Sequence, residues 1–504
     1  MYKLTKTRKL RISEAKELNI DINFDNISTR EIFNIIKYKK LELESNVEEQ
    51  NSSSDTDSDT DSSSDSFFAN NNTTWLSLIK KGDSIESTNS REAVGWWADA
   101  YSIEPTRPEA IYRIVKRWRY MGRPKVCFEW LSKFNEANIP NDDYDGIERE
   151  VWEWRLSEER LICAFYCGVR EIHRDIMNIL NKCVSSYSIQ QALKNYIFYD
   201  SQVQVFSKRE VKLDIANRVK MGNNTEVMMY GSTPSICCDK QGYIVNQRLV
   251  SYLVNPNGSY NLGESETITT VNRCLKLNRQ LELVDKFLDY TLPHINEVYN
   301  GVEDVKVWKR KDGSLCFLGT HVKNSEPWND TNISVCIGNY NDTDLINPHI
   351  LRQNIRPQRS EKNWVFCEDN QIIYQWSPLI VCELVDNESI IQPIHTIHKV
   401  PGCFTHMRGS SNGCLVGDEQ WFITHIVAYD TPRIYYNHLV VLNAKTKEPL
   451  RYSYPFKLSN CKIEFCLGLI VEEDRILIGY SSNDGSTRIG IFERHTFDKM
   501  MISV

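Results

Sequence analysis

No run in this sequence approaches the ~20 consecutive apolar residues that a membrane-spanning helix needs. The N-terminus, MYKLTKTRKLRISEAKEL, starts positive but has no apolar stretch behind it, so it does not read as a secretory signal. Positive charge is not in excess: 60 Lys and Arg stand against 67 Asp and Glu, a formal net charge of -7. That balance argues against non-specific nucleic-acid binding. The glycine motifs that cradle phosphates are missing, with no GxGxxG and no GxxxxGK followed by Ser or Thr; HExxH is missing as well. No cofactor is expected. Cys237 and Cys238 are adjacent rather than spaced as metal ligands, and Cys163 and Cys167 have no matching second pair, so no structural metal is expected either. The 15 Cys are scattered, often in apolar stretches such as KVCFEW around Cys127 and FCLGL around Cys466. They read as buried free thiols in a reducing compartment, the cytoplasm.

What is present is room and aromatic surface. The 504 residues are enough for two or three domains, and an apolar fraction of 41% with 25% charged residues is that of an ordinary soluble protein. Twelve Trp, 24 Tyr and 18 Phe supply large cores or stacking surfaces. Residues 1–43 read as a small helical segment, with short helices over 8–19 and 29–41. Residues 44–74 read as a linker. Its centre, SSSDTDSDTDSSSDS at 52–66, has no apolar residue to offset the entropy of ordering and is expected to be disordered. Serines embedded in acids also suit acidophilic kinases.

Residues 75–214 change to amphipathic helices. Glu92–Ile103 puts Ala93, Trp96, Trp97 and Ala100 on one face. Glu104-Pro105 stops it. Thr106 with Glu109 three residues on reads as a capping box, and Pro108 fits a first turn. A helix over Glu109–Tyr120 ends at Met121-Gly122. The next, Lys125–Phe134, carries Val126, Cys127, Trp130 and Leu131. Helix, tight glycine turn, helix is the unit of a tetratricopeptide-like array. Further helices are expected over 147–182 and 187–197. Such scaffolds position or recognise something, and any protein partner is expected here.

After about residue 215 the period shifts to two. Runs such as EVMMY, VKVWK, ISVCIGNY, QIIYQW, HLVVLNA and RILIGYS are separated by turns such as Asn257-Gly258, Asp312-Gly313 and Asp484-Gly485. About four strands recur every 50–60 residues. That spacing fits a five-bladed β-propeller over 215–504, with a β-sandwich as the competing fold. The stretch 270–292 reads as a helix decorating a blade. The expected fold class is therefore an α-helical, repeat-like scaffold followed by an all-β propeller-like domain.

Polar groups at the ends of apolar strands are the candidates for chemistry. Glu303 and Asp304 are adjacent acids before the strand VKVW, and acids from different blades can face one another around a propeller axis. Paired acids in a pocket split into a proton donor and a proton acceptor, as glycosidic chemistry requires. Glu361 precedes the strand NWVF, in which Trp364 offers a platform for a sugar ring; Trp376 follows in QWSPL. Arg408 precedes the small residues of GSSNG, and His425 lies in an aromatic strand. Glu464 is an acid inside the apolar run KIEFCLGL, costly unless paired or facing a wet cavity.

Taken together, WADAYSIEPTRPEAIYRIVKRWRYMG, NQRLVSYLVNPNGSY, GVEDVKVW, SLCFLGT, EKNWVF, RGSSNGC and IEFCLGL resemble a family of giant-virus and bacterial proteins. There a helical-repeat region is joined to a β domain, and many longer members carry a family 2 glycosyltransferase domain in front. The β domain is similar to the five-bladed propellers of glycoside hydrolases and phosphorylases, which often carry a Glu-Asp-Pro motif. The resemblance covers about residues 80–504. Here Val305 stands in place of the Pro, and Lys306 matches the arginine that follows it in the phosphorylase motif. The resemblance implies a host-cytoplasmic or virion location if the chain is viral, and a saccharide or glycan as partner. Three functions stay open: a carbohydrate-active hydrolase, phosphorylase or transferase, a glycan-binding module, and a structural or protein-interaction protein. In the first, Asp304 and Glu361 are the acid and base, Glu464 tunes them, and Arg248, Glu303, Trp364, Trp376, Arg408 and His425 hold the sugar or a phosphate.

Overall fold

The computed structural model describes residues 65–134, 146–199, 209–213, 217–220, 226–265, 267–287, 299–323, 332–341, 345–356 and 360–504. The helices expected at 8–19 and 29–41, and the acidic tract up to residue 64, lie outside these residues. The last part of the expected linker does not: a helix, α1, covers Asp65–Ile85. Its Trp75, Leu78 and Ile79 fall at helical spacing, with Trp75 and Ile79 buried. Residues 71–504 form one compact unit.

The helices that follow are α2 (Ser90–Ile103), α3 (Pro108–Tyr120), α4 (Pro124–Lys133), a π-helical turn (Val151–Arg155), α5 (Leu156–Tyr166), α6 (His173–Lys182) and α7 (Ser186–Tyr196). From α2 to α7 the neighbours in the described chain pack on one another. Asn89 caps α2 by accepting from the Glu92 N–H, whereas the expected capping box at Thr106 does not form. Glu109 turns inward instead. Fully buried, it accepts from the Trp152 indole at 2.8 Å and pairs with Arg107. The helical stretch expected over 147–182 is interrupted after Tyr166, where Gly168 takes φ +74°, a conformation costly for a side-chain-bearing residue. Among the tryptophans of these helices, Trp97 is buried, while Trp96, Trp118 and Trp130 are partly covered.

Among the described residues, five sheets close into a five-bladed β-propeller, and a small two-stranded sheet, Leu253–Val254 with Tyr260–Asn261, stands apart from them. Blade 1 is built from Asn217–Lys220, Glu226–Cys238, Gly242–Val250, Ile268–Asn278 and Leu283–Phe287, and blade 2 from Glu303–Lys309, Leu315–Lys323, Asn332–Tyr340 and Leu345–Ile350. Blade 3 is Val365–Glu368, Gln371–Trp376, Leu379–Val385 and Ile390–Ile397, with Arg352–Gln353 added in parallel at its edge. Blade 4 takes Arg408–Gly409, Cys414–Val416, Glu419–Ala428, Ile434–Asn443 and Pro449–Ser453; blade 5 takes Glu464–Val471, Arg475–Ser482 and Thr487–Glu493.

Two strands from elsewhere in the chain lock the ring. Arg209–Lys212, which precedes blade 1, pairs onto the edge of blade 5, and Met501–Ser503 pairs onto blade 4. Each junction is apolar. Cys237 and Ile244 of blade 1 meet Val305 and Phe317 of blade 2. Leu318 and Ile337 meet Trp364 and Phe366 across blades 2 and 3. Val365 and Ile373, then Trp421 and Tyr436, then Cys466 and Ile478 run in one cluster from blade 3 to blade 5. Ile470 and Leu477 meet Ile236 and Val245 to close the circle. Apolar burial of this extent, at roughly 25 cal/mol per Å², is what holds the blades together.

In the stretch 270–292, expected to contain a helix, the described residues form a blade 1 hairpin, Ile268–Asn278 with Leu283–Phe287, and residues 288–292 lie outside the described residues. Nearly every residue of Ile268–Asn278 is buried, so the polar–apolar alternation that marks a half-exposed strand is blurred. The helical region docks on blade 4. Ile176, Leu193 and Tyr196 share a core with Phe404, Tyr436 and Phe456, and the Asn181 side chain accepts from the Cys403 N–H at 2.9 Å.

Candidate active site at the propeller axis

The inner strand of blade 2 begins with two adjacent acids. In a regular strand, neighbours point to opposite faces. Here the pairing with Leu315–Lys323 slips between Glu303 and Lys306, and Asp304 takes φ +52°. This bulge turns both acids to one side, and Asp tolerates the left-handed region better than most residues. Both then reach a single guanidinium. Arg248, only 5% exposed in blade 1, donates from Nη1 to Asp304 Oδ1 at 2.9 Å and places Nη2 3.1 Å from Glu303 Oε1. The start of the strand is held by the Asn272 amide, which donates to the Val302 carbonyl at 2.8 Å.

A third acid comes from blade 5. Asp484, at φ +49° in the turn between Arg475–Ser482 and Thr487–Glu493, is electrostatically coupled to Arg248 and Asp304. Burial pushes its carboxyl up, against the pull of Arg248. Glu303 is raised in the same way: by burial first, opposed by Arg248, and reinforced by the charges of Asp304 and Asp484. Burial and the neighbouring acid charges thus hold the protons of Glu303 and Asp484 above the usual carboxylate range. Tyr252, which is buried, and Tyr260 meet with ring centroids 4.5 Å apart at a tilt of 44° beside this cluster, and the hydroxyl of Tyr435 feels Asp484 and Asp304.

Cationic and neutral donors face the acids from blades 2 to 4. Lys306 is 2% exposed, its Nζ is 3.5 Å from the Asp304 carbonyl, and burial lowers its pKa. His425 is buried, with Nδ1 2.7 Å from Ser410 Oγ and its ring against Phe465 and Tyr435. Burial, followed by the nearby Arg408, Lys362 and Lys306 charges, keeps this imidazole neutral at pH 7. Lys362 also acts on Glu303, and its neighbour Asn363 has φ +65°. Strained backbone at Asp304, Asn363 and Asp484, in or beside three blades, gathers where the charges do, a pattern common at functional sites.

Five of the sequence candidates therefore fall in or beside this cluster: Arg248, Glu303, Asp304, Arg408 and His425. Four do not. Glu361 accepts from Gln353 Nε2 at 2.9 Å and from the Tyr374 hydroxyl at 3.2 Å, and its carboxyl is raised by burial. Glu464 is fully buried in blade 5, accepting from Asn437 Nδ2 and the Leu458 N–H at 2.7 Å and from Ser459 Oγ at 2.6 Å. Its high pKa, about 7, comes from burial, and its bonds are to the fold. Trp364, 1% exposed, packs at the blade 2–3 junction against Tyr374. Trp376, 3% exposed, is edge-on to Phe404 and Phe422. Neither ring has a free face for a sugar. Conversely, Asp484 reads as a turn residue in Asn483-Asp484-Gly485; Tyr252 and Tyr260 lie within the segment NQRLVSYLVNPNGSY and Tyr435 beside Tyr436 in blade 4, but nothing in those segments singles the tyrosines out.

At the other ends of the inner strands a cavity of about 280 Å³ is lined by Cys237, Cys238, Trp308, Asn412, Cys414 and Leu415, among others. It lies a strand length from the acids.

No family model matches the chain, and no curated protein matches it. Among solved structures, a β-1,2-mannobiose phosphorylase from Listeria innocua is similar at 11% identity and a TM-score of 0.37, over 54% of this chain and 92% of that one. A mannose phosphorylase from Leishmania mexicana is similar at 11% identity and a TM-score of 0.37, over 63% and 96%. A GDP-Man-dependent mannosyltransferase from Leishmania mexicana is similar at 13% identity and a TM-score of 0.35, over 60% and 94%. At these scores the likeness carries no statement about activity.

Proposed function

We propose that the acid-bearing end of the propeller axis is a saccharide site of a carbohydrate-active protein. The observation that carries this reading is the pairing of Glu303 and Asp304 with the buried Arg248, with the charge of Asp484 acting on the same guanidinium and tyrosines around them. Carboxylates and a guanidinium match hydroxyl groups, and aromatic rings match the apolar faces of a pyranose. Glu303 or Asp484, raised by burial, is suited to protonate a glycosidic oxygen. Asp304, fixed by Arg248, is suited to orient a hydroxyl or to take up a proton. Lys306, Lys362 and the neutral His425 lie where an incoming water, phosphate or acceptor would be steadied.

A second reading is a site that binds glycans without turnover. The direct pairing of Glu303 and Asp304 with Arg248 favours it, because a carboxylate tied to a guanidinium is a poor proton carrier. A glycan array, followed by turnover assays with and without inorganic phosphate, separates the readings. For the enzyme, Asp304→Asn abolishes turnover and leaves binding largely intact, because proton transfer matters chiefly in the transition state. For the binding module, the same variant weakens affinity modestly and no protein turns over any glycan.

A further inference from the structure

We propose that the seam between α7 and blade 4 is a second saccharide subsite, taking the next unit of a chain whose first unit lies at the axis. The proposal rests on the axial reading above. A cavity of about 220 Å³ lies at this seam, walled by Ile189, Gln190 and Leu193 of α7 and by His406, Arg408 and Tyr429 of the propeller. At roughly 30 Å³ per water it has the share of about seven water molecules, the scale of one sugar ring.

The helical wall is fixed rather than laid on top. Gln190 donates from Nε2 to the Val427 carbonyl at 3.1 Å and accepts the Tyr429 N–H at 2.6 Å. One turn on, the Tyr436 hydroxyl donates to the Leu193 carbonyl at 2.8 Å, and the Tyr196 hydroxyl donates to the Pro455 carbonyl at 3.3 Å. The cavity is therefore a built feature of the joined helical region and propeller.

Its polar lining has capacity to spare. His406 is half-buried and has no hydrogen-bond partner among the described residues. Burial lowers its pKa, so a neutral imidazole offers one donor and one acceptor, the pair a sugar hydroxyl uses. Arg408 donates from Nη2 to the Tyr429 hydroxyl at 2.6 Å.

A path joins the seam to the axis. Arg408 is the strand partner of His425, whose ring lies 5.8 Å from that of Tyr435. Tyr435 is coupled to Asp484 and Asp304 on one side and to Arg433 on the other. The Arg433 guanidinium is 5.7 Å from the Tyr429 ring, which is half exposed. Alternating tyrosine and arginine side chains thus run from the axial acids across blade 4 to the cavity, a surface suited to the ring faces and hydroxyls of a linear glycan.

The test is calorimetric titration with α- and β-linked mannose, glucose, galactose and N-acetylglucosamine oligomers of one to three units. The proteins are the full chain, His406→Ala, His406→Gln and Asp304→Asn, with thermal midpoints as the folding control. The expected result is that affinity of the full chain rises with length for one series. His406→Ala then removes about tenfold of that rise, the scale of one hydrogen bond, while binding the monosaccharide as before. His406→Gln restores part of it, and Asp304→Asn leaves the gain with length unchanged. If short oligomers bind but His406→Ala keeps the full gain with length, or there is no gain, the seam subsite is overturned and the axial site stands. If no oligomer binds the full chain, the axial reading falls and the seam proposal falls with it.

Discussion

Replacing Glu464 by Gln removes a titration that the fold has shifted. The carboxyl is fully buried, and burial raises its pKa from 4.5 to about 7. Because this is an acid raised on folding, the native state binds more protons than the unfolded chain between those values. The stability it contributes is present in full below pH 4.5 and lost as the pH rises through about 7. At about 1.4 kcal/mol per unit, the loss amounts to about 3 kcal/mol. Glutamine is nearly isosteric. Its carbonyl can accept from Asn437 Nδ2 and the Leu458 N–H, and its amide can donate to Ser459 Oγ. Urea unfolding of both proteins between about pH 4.5 and pH 8 reads the effect as a difference, in which every other titration cancels. The variant should gain about 3 kcal/mol on the wild type across that range. A constant difference, or one that grows toward acid, would refute the claim that burial raises the Glu464 carboxyl.

Other outcomes follow from the same structure. His438, buried with Nδ1 3.1 Å from the Ser453 carbonyl, is lowered to about 4. It therefore costs stability as the pH falls from 6.5 toward 4, by about 3 kcal/mol, and His438→Gln should flatten the acid limb of the stability profile. Trp364→Ala and Trp376→Ala should each cost about 3–5 kcal/mol in urea unfolding, as core truncations do; loss of saccharide binding at an unchanged midpoint would contradict their placement. A Cβ at Gly409 would lie 2.4 Å from the Asn363 carbonyl, so Gly409→Ala should cost about 1–3 kcal/mol and pull Lys362 and Asn363 out of place. An unchanged midpoint with unchanged saccharide affinity would count against that close approach.

The number of blades was legible because four short strands and a turn repeat along residues 215–504. The sequence also marked Glu303 and Asp304, since charged groups at the mouths of apolar strands are unusual, whereas Arg248 entered only as a sugar- or phosphate-holding residue of the carbohydrate reading. It did not reveal that a bulge would turn both acids toward one arginine, because nothing in VEDVKV distinguishes a bulge from a regular strand. Asp484 was hidden as an ordinary turn residue: its role depends on where blade 5 sits relative to blade 1, which no local pattern encodes. Trp364 and Trp376 misled in the opposite sense. A tryptophan beside polar residues fits a sugar platform and a blade junction equally well, and only burial separates the two. Ile268–Asn278 read as part of a helical stretch because Val271, Cys274 and Leu275 fall at helical spacing, while the buried polar residues Thr269, Thr270, Asn272 and Arg273 break the alternation of a strand.

The central claim is that the acids around Arg248 form a saccharide site. Calorimetric titration of the full chain and of Asp484→Asn with a mannoside, glucoside, galactoside and N-acetylglucosaminide panel tests it most directly, because Asp484 enters the account through the structure alone. The account predicts that at least one glycan binds the full chain below millimolar concentration and binds Asp484→Asn more weakly, at an unchanged thermal midpoint. No binding at millimolar concentration, or binding that Asp484→Asn leaves untouched, would contradict it.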